Sequence, residues 1–324
     1  MVLVLVDHDH GELDELSLQA VTYGRELAAS TGEQLDALVI GADGSGVADA
    51  LREHGVATVY VAAHPGLTEY APVAAARSTS EIASRLDTSL VIATATPRGN
   101  EVMAHLGAIT DLPVAADCIK VTPGSPTQVV RARWGGSLIE EANVHGSPAL
   151  VTLVPHTFAA EPGGDGKGEV SEFTPELSEA DLLVMARPAA PAEEASGVSL
   201  ADAKVIVSGG RGVGSAEGFE PLEQLADLLG GTIGCSRVVT GNGWRPHTEQ
   251  VGQTGTKVAP DLYIACGISG ATQHIAGCRN AKTMIVINTD PDAPIMGYAD
   301  YAVIGDLSKI LPAIIEETKK VKVG

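Results

Sequence analysis

Short runs of aliphatic residues alternate with amphipathic stretches from the first residues of the chain. The runs predict strands and the amphipathic stretches predict helices. In the first part of the chain, strands are expected at 2–6, 35–40, 58–62 and 90–93, and helices at 13–29, 47–53, 73–86 and 101–109. Such alternation favours right-handed βαβ crossovers and a mostly parallel sheet. Two further predicted strands, 127–134 and 137–144, flank Gly135-Gly136, a dipeptide that suits a hairpin turn, so antiparallel strands should finish this sheet.

The composition changes between His156 and Leu200, where Gly, Pro, Glu and Ala dominate, although residues 182–185 still predict a strand. A second alternating series then begins. Its strands are expected at 204–207, 232–236, 262–265, 283–288 and 301–304, and its helices at 221–229, 271–278 and 307–320. The predicted fold class is therefore α/β, with two doubly wound, mostly parallel-sheet (Rossmann-like) domains at residues 1–195 and 196–324.

Composition and charge exclude several classes of function. A hydrophobic content of 44% excludes a disordered chain. The formal charge is −20, and it is uneven: residues 1–200 contain 28 acidic and 10 basic side chains, whereas residues 201–324 contain 13 and 11. Because the acidic first part would repel a phosphate polyanion, no nucleic-acid partner is expected. The nearly neutral second part is the better place for a phosphorylated ligand.

The sequence also carries predictions about location. No apolar run approaches the roughly 20 residues that a membrane-spanning helix needs, so no direct membrane insertion is expected. The start of the chain lacks a basic stretch followed by a long apolar core. The cysteines show no C-x-x-C spacing and lie at Cys118, Cys235, Cys266 and Cys278. These features predict a reduced, cytoplasmic protein.

A glycine-rich stretch at 208–215 directly follows the predicted strand 204–207. Glycines let a backbone approach a ligand closely, and a helix beginning there would direct free N–H groups at a phosphate. The spacing is not G-x-G-x-x-G, and the next strand ends in Ser236-Arg237 rather than in the acid that binds an NAD ribose. The NAD fingerprint is therefore absent. A simple glycine-rich turn with Arg211 in solvent remains the structural alternative.

Three more polar segments should lie at the same edge of the second sheet. A long, weakly structured stretch at 238–260 contains many glycines and amides, and a loop of this length is usually functional. Cys266-Gly-Ile-Ser-Gly-Ala-Thr-Gln-His274 joins a strand to a helix, and Asn288 and Asp306 each end a strand. Two of these side chains have structural alternatives: His274 as a satisfied core residue and Asp306 as a helix N-cap.

Several of these motifs, in this order, resemble the C-terminal signature of electron-transfer flavoprotein alpha subunits. The resemblance rests on Gln250-Val-Gly-Gln-Thr-Gly255, Ala259-Pro-Asp-Leu-Tyr-Ile264 and Gly267-Ile-Ser-Gly-x-x-Gln-His274, together with Ser208-Gly-Gly-Arg-Gly212. It covers 204–324 closely and 1–200 more loosely. It implies that the second domain binds FAD.

By the same resemblance, Arg211 and Ser269 are expected near the pyrophosphate and ribityl part of FAD, and Asn288 and Asp306 near the adenosine end. Arg237, Thr254 and His274 correspond to flavin-ring contacts. A flavin that accepts an electron without a proton becomes anionic at its N1 and C2-carbonyl side, where Arg237 and His274 offer a cation or a donor. The full set of predicted cofactor-binding residues is Gly210, Arg211, Gly212, Ser236, Arg237, Gln250, Val251, Gly252, Gln253, Thr254, Gly255, Gly267, Ile268, Ser269, Gly270, Gln273, His274, Asn288, Thr289, Asp306 and Leu307.

The resemblance also implies partners. The first domain should pack on an electron-transfer flavoprotein beta subunit that carries AMP, forming a heterodimer. Flavin dehydrogenases such as acyl-CoA dehydrogenases would donate electrons, and a quinone-linked oxidoreductase would accept them. The chain is then an electron carrier rather than an enzyme. Two alternatives remain: a nicotinamide-dependent oxidoreductase on a similar fold, and a regulatory module that binds an adenine nucleotide in residues 1–190.

Overall fold

A computed structural model describes residues 1–164, 167–186 and 199–323. The chain divides into two compact units, Met1–Ala190 and Pro191–Gly324. The domain boundary that we predict at residue 195 lies outside the described residues. Among those residues, no helix combines the length and the apolar character that crossing a membrane requires.

The first unit contains the six strands predicted before residue 145 and the four predicted helices, and it adds strands at 114–122, 149–153 and 169–173, and two-residue strands at 8–9 and 12–13, that the hydrophobic pattern does not predict. Its strands are β1 (Val2–Val6), β2 (His8–Asp9), β3 (Glu12–Leu13), β4 (Leu35–Ile40), β5 (Thr58–Ala62), β6 (Leu90–Thr94), β7 (Val114–Thr122), β8 (Thr127–Arg133), β9 (Leu138–Val144), β10 (Ala149–Leu153) and β11 (Glu169–Phe173). Its helices are α1 (Glu15–Thr31), α2 (Ala48–Glu53), α3 (Pro72–Arg85) and α4 (Pro97–Thr110).

In the described part of this unit, nine strands form one sheet in the order β11-β5-β4-β1-β6-β10-β7-β8-β9. The pairings from β11 to β7 are parallel, and β8 and β9 add antiparallel strands at one edge. Alternate residues of β1 enter different cores: Val4 packs with the residues of α1, and Leu5 packs with those of α3 and α4. The unit is therefore doubly wound, and the expected antiparallel edge is confirmed.

The second unit contains a smaller sheet. Its strands are β12 (Val205–Gly209), β13 (Thr232–Cys235), β14 (Leu262–Cys266), β15 (Met284–Asn288) and β16 (Tyr301–Ile304), and its helices are α5 (Glu220–Leu229), α6 (Arg237–Gly241), α7 (Thr272–Cys278) and α8 (Leu307–Val323). Within residues 199–323 the strand order is β13-β12-β14-β15-β16, and every pairing is parallel. Because β12 has β13 on one side and β14 on the other, the winding direction reverses there. Crevices at such reversals are where open α/β sheets bind ligands.

One predicted strand is wrong. Leu182 ends a 3-10 turn (Glu179–Leu182), and the residues after it bend along the surface, with Leu183 81% exposed. A capping box fixes the turn, because Ser178 and Asp181 each bond the other's backbone. The hydrogen bonds from Ser178 are the main cause of the lowered pKa of the Asp181 carboxyl. The polar capping bonds override the apolar run.

Candidate functional site

An open cleft of about 620 Å³ lies at the carboxyl edge of the second sheet, where β12 and β14 meet. The loops after β12, β13, β14 and β15 contribute its walls. The predicted residues that line it are Arg211, Gly212, Ser236, Arg237, Gln250, Val251, Gly252, Gln253, Thr254, Gly267, Ile268, Ser269, Gly270, Gln273, His274 and Asn288. The sequence motifs thus meet in one place although 77 positions separate the first from the last.

The glycines after β12 and β14 bring two backbones together. The N–H of Gly210 donates to the carbonyl of Cys266 at 2.9 Å, and that of Gly212 donates to the carbonyl of Gly267 at 3.0 Å. A Cβ on Gly210 would lie 2.3 Å from the Gly267 oxygen, which no side chain could tolerate. Gly210 itself does not line the cleft, so its role is to join the two loops rather than to admit a ligand.

The helix predicted at 221–229 is confirmed as α5, and it begins several residues after the glycine-rich stretch rather than directly behind it. A 3-10 turn (Arg211–Val213) and a second one (Glu217–Phe219) follow β12, and α5 begins only at Glu220. The first turn of α5 is acidic, so it is unsuited to a phosphate. The helices α6 and α7 reach the cleft with their first turns, where α6 supplies Arg237 and α7 supplies Gln273 and His274.

The stretch 238–260 is more ordered than the sequence predicts, since it begins within α6. Arg245 ties it to the rest of the unit through ion pairs with Glu223 at 2.5 Å and Glu249 at 2.6 Å. These carboxylates raise the pKa of the Arg245 guanidinium, the hydrogen bond from Glu249 having the largest effect. The guanidinium also lies 5.5 Å from the ring centre of Phe219. A half-buried ion-pair cluster therefore supports the part of the loop that reaches the cleft.

Gln250 is a buried residue of the cleft wall whose side chain bonds two neighbouring threonines. It is 2% exposed, its Oε1 accepts from the Thr240 hydroxyl at 2.6 Å, and its Nε2 donates to the Thr254 hydroxyl oxygen at 3.1 Å. Both ends of the amide are therefore occupied. Because the Thr254 oxygen accepts this bond, its own hydrogen is left to donate outwards. Gln250 orients Thr254 and is not itself a free ligand group.

His274 combines burial with an unsatisfied nitrogen. The residue is 6% exposed, and its Nε2 lies 2.9 Å from the hydroxyl of Tyr263. Its Nδ1 is buried without a partner in hydrogen-bonding geometry among the described residues. Burial lowers the pKa of the imidazole to about 4, against a smaller opposing effect of the Val251 backbone. His274 is therefore neutral near pH 7 and can offer the cleft a hydrogen bond but not the positive charge that we had considered.

Comparison with known proteins identifies the family. The model described as Electron transfer flavoprotein domain matches residues 2–178, and that described as Electron transfer flavoprotein FAD-binding domain matches residues 199–279. The electron transfer flavoprotein subunit alpha of Mycobacterium leprae is 36% identical over 98% of this chain and 98% of its own length. That of Thermoanaerobacterium thermosaccharolyticum is 34% identical over 99% and 98%. The chain belongs to the electron transfer flavoprotein alpha subunit family. Protein FixB of Clostridium saccharobutylicum is 35% identical over 99% of this chain and 96% of its own length.

The residues that line the cleft fit FAD. The exposed guanidinium groups of Arg211 and Arg237 form no ion pair within the described residues, so their charge faces the cleft uncompensated apart from Asp290. One guanidinium suits a pyrophosphate, and a second suits the edge of a flavin that becomes anionic on reduction. The buried Nδ1 of His274 and the outward hydroxyl of Thr254 suit the polar edge of a flavin. A cleft of this volume is within the range of cofactor sites.

Other predicted residues lie beside the cleft rather than on its wall: Gly210, Gly255, Thr289, Asp306 and Leu307. Asp306 caps α8, since its Oδ1 accepts from the Ser308 N–H at 2.9 Å, and this bond is the main cause of its lowered pKa. Gly255 permits a tight turn, because a Cβ there would lie 2.1 Å from the Gln250 carbonyl oxygen.

Asn288 joins two loops at the cleft. Its Nδ2 donates to the Ile268 carbonyl at 2.8 Å, and its Oδ1 accepts from the Asp290 N–H at 3.1 Å. Sequence reasoning missed four lining residues, which are Val238, Ala271, Asp290 and Ala293. The first three adjoin predicted motifs, so extending each motif by one or two positions would have included them.

Proposed function

We propose that this chain is the FAD-carrying alpha subunit of a heterodimeric electron transfer flavoprotein, with its cofactor in the cleft at the carboxyl edge of the second sheet. The observation that carries the proposal is the convergence, at the reversal between β12 and β14, of two unpaired guanidinium groups with the His274 and Thr254 side chains. FAD supplies reversible electron-accepting chemistry. The chain supplies binding, orientation and electrostatics.

The residues have different roles in this proposal. Arg211 and Ser269 bind the pyrophosphate and ribityl part, and Arg237, Thr254 and His274 contact the flavin ring. Arg237 is the permanent cation among the ring contacts, because His274 is neutral. Asn288 and Asp306 hold the adenosine end, where Asp306 combines this contact with its helix cap. Gln250 acts through Thr254.

The proposal extends to partners. An electron transfer flavoprotein beta subunit with bound AMP covers the first unit, domain 1–195, while domain 196–324 holds FAD. Flavin dehydrogenases such as acyl-CoA dehydrogenases donate electrons, and a quinone-linked oxidoreductase accepts them, as in cytoplasmic fatty acid beta-oxidation. The chain performs no substrate chemistry of its own. The support is the alpha-subunit designation of its relatives, together with a cleft lined by the guanidinium groups of Arg211 and Arg237 and by one carboxylate, that of Asp290, among its described lining residues.

The alternative of an adenine nucleotide in the first unit is disfavoured by charge. A cavity of about 220 Å³ lies at the carboxyl ends of β1 and β4, and Asp7, Asp9, Asp43 and Glu69 line it. Arg98 is the single arginine or lysine among its described lining residues. Four carboxylates would repel a phosphate. This argument leaves AMP to the partner subunit.

Co-expression with a beta-type subunit tests the function directly. We expect a one-to-one complex with a flavin absorption spectrum, and a flavin count that assigns FAD to this chain. We also expect the chain alone to lose FAD or to be poorly stable, since the partner covers part of its surface. A monodisperse monomer that retains stoichiometric FAD would contradict the heterodimer. Tight NAD binding without flavin absorbance would favour the nicotinamide-dependent alternative.

A further inference from the structure

A buried polar pair lies directly behind the cleft wall. Tyr263 is the second residue of β14, is fully buried, and packs in the apolar core with residues of α7. Phenylalanine would fill such a place without a polar atom to satisfy. The hydroxyl of Tyr263 is instead 2.9 Å from Nε2 of His274, and a buried hydroxyl is tolerated only when it has such a partner.

The neutral imidazole of His274 must place its single hydrogen on one of two nitrogens. Nε2 faces Tyr263, whereas Nδ1 is buried without a partner in hydrogen-bonding geometry among the described residues, and the residue His274 lines the cleft. The partner at Nε2 therefore decides whether the cleft meets a donor or an acceptor. This is the usual way in which one ring nitrogen fixes the tautomer at the other.

The surroundings of Tyr263 favour one direction for its proton. Full burial raises the pKa of its hydroxyl well above 10, so the hydroxyl stays protonated. Ser208 Oγ is close by, but it has no partner in hydrogen-bonding geometry, and the Cys278 thiol donates to the His274 carbonyl at 3.5 Å. Nε2 is then the acceptor available to the Tyr263 proton.

We propose that Tyr263 is a positioning residue: by donating to His274 Nε2 it fixes the Nδ1–H tautomer, so that His274 presents a hydrogen-bond donor to the cleft. Such a donor selects a ligand edge that bears an acceptor, as the pyrimidine carbonyl side of a flavin does. This assignment of ligand rests on the function proposed above. The tautomer itself depends only on the residues of this chain.

Nitrogen-15 NMR of the full chain, in complex with the subunit that co-purifies with it, tests the tautomer. His274 is assigned by comparison with His274→Gln. We expect the two-bond coupling pattern of a neutral ring protonated at Nδ1, both with FAD and after its removal. Tyr263→Phe should lose this pattern, whereas Tyr301→Phe, a control on a 65% exposed tyrosine, should keep it.

The FAD dissociation constant gives a second readout. Tyr263→Phe should raise it by roughly three- to tenfold, the factor that one net hydrogen bond represents. A wild-type ring protonated at Nε2 would overturn the proposal even if Tyr263→Phe fails to fold. An unchanged tautomer and FAD affinity in Tyr263→Phe would overturn it as well. If the wild-type chain binds no FAD, the proposed function fails, and the coupling pattern alone still decides the role of Tyr263.

Discussion

Replacing His274 with glutamine should remove a large part of the acid sensitivity of the C-terminal unit. In the folded protein the pKa of His274 is about 4, compared with an ordinary value of 6.5. Between these pH values His274 is protonated in the unfolded chain but stays neutral in the folded chain. The stability that its neutral form contributes is therefore fully present above pH 6.5 and is lost as the pH falls towards 4.

The magnitude follows from the two pKa values. A single group with these values should cost about 2 kcal/mol at pH 5 and about 3 kcal/mol at pH 4. The titratable neighbours of His274 do not interfere in this range. Burial raises the pKa of the Cys278 thiol to about 12 and that of Tyr263 well above 10. The difference between wild type and His274→Gln should isolate the histidine.

Tryptophan fluorescence can report on this unit alone. The chain has two tryptophans; Trp134 is 81% exposed in the first unit, and Trp244 packs in the second. In a Trp134→Phe background, the fluorescence of Trp244 reports urea unfolding of the FAD-free protein, measured at pH 4.5 to 7.5. His247→Gln, at an exposed position in the same unit, serves as the matched control. Parallel pH profiles for wild type and His274→Gln would refute the buried, neutral assignment.

Three further outcomes are expected. Arg237→Ala should lower the first reduction potential of bound FAD by up to about 100 mV, the scale of one screened charge pair. Arg237→Lys should recover part of this loss. An unchanged potential in Arg237→Ala with FAD fully bound would show that Arg237 has no electrostatic role. Asp306→Asn should keep the cap of α8 yet weaken FAD retention. Asp306→Ala should also lower the melting temperature, since a lost cap costs about 0.5–2 kcal/mol. Full FAD retention in Asp306→Asn would leave helix capping as the sole role of Asp306. Burial raises the pKa of Asp7, so its ionised form destabilises the folded protein. Asp7→Asn should therefore raise the melting temperature at pH 7 but not below about pH 4. An equal rise in melting temperature for the exposed control Asp9→Asn would contradict this explanation.

Most strands could be predicted because parallel strands buried on both faces need continuous aliphatic runs. β1 and β6, in which every residue is buried, are examples. β11 escaped prediction because it is an edge strand of five residues whose two apolar residues, Val170 and Phe173, lie on opposite faces. β10 was also not predicted, although all its residues are buried. β7 is irregular, since its pairing is shifted by bulges and Asp117 has a positive φ. Such departures depend on the partner strand, which local sequence does not specify.

The lining of the cleft was largely predictable because strand ends of a parallel sheet meet at one edge. The separate roles of the polar residues in the cleft could not be predicted from the sequence. Gln250 and Asn288 look like free amides in the sequence, but both use their side chains to hold neighbouring loops. Tyr263 looks like an ordinary strand residue. Its bond to His274 spans 11 positions and two elements, so only the packing of α7 on β14 reveals it.

The two units have crevices in similar topological positions, but the side chains that line the two crevices carry opposite charges. Each has a crevice where strand order reverses, yet Arg211 and Arg237 face one and four carboxylates face the other. In the first unit the Asp7 carboxylate accepts from the hydroxyl of Thr96, the N-cap of α4, at 3.0 Å. A carboxylate of the chain thus occupies the place at which a helix N-terminus would attract a phosphate. Because fields at a few ångströms outweigh those of distant, screened charges, a net charge of −20 is compatible with a cleft that binds an anionic cofactor. The local sign of charge, rather than the fold or the net charge, distinguishes the crevice suited to a pyrophosphate from the one that repels it.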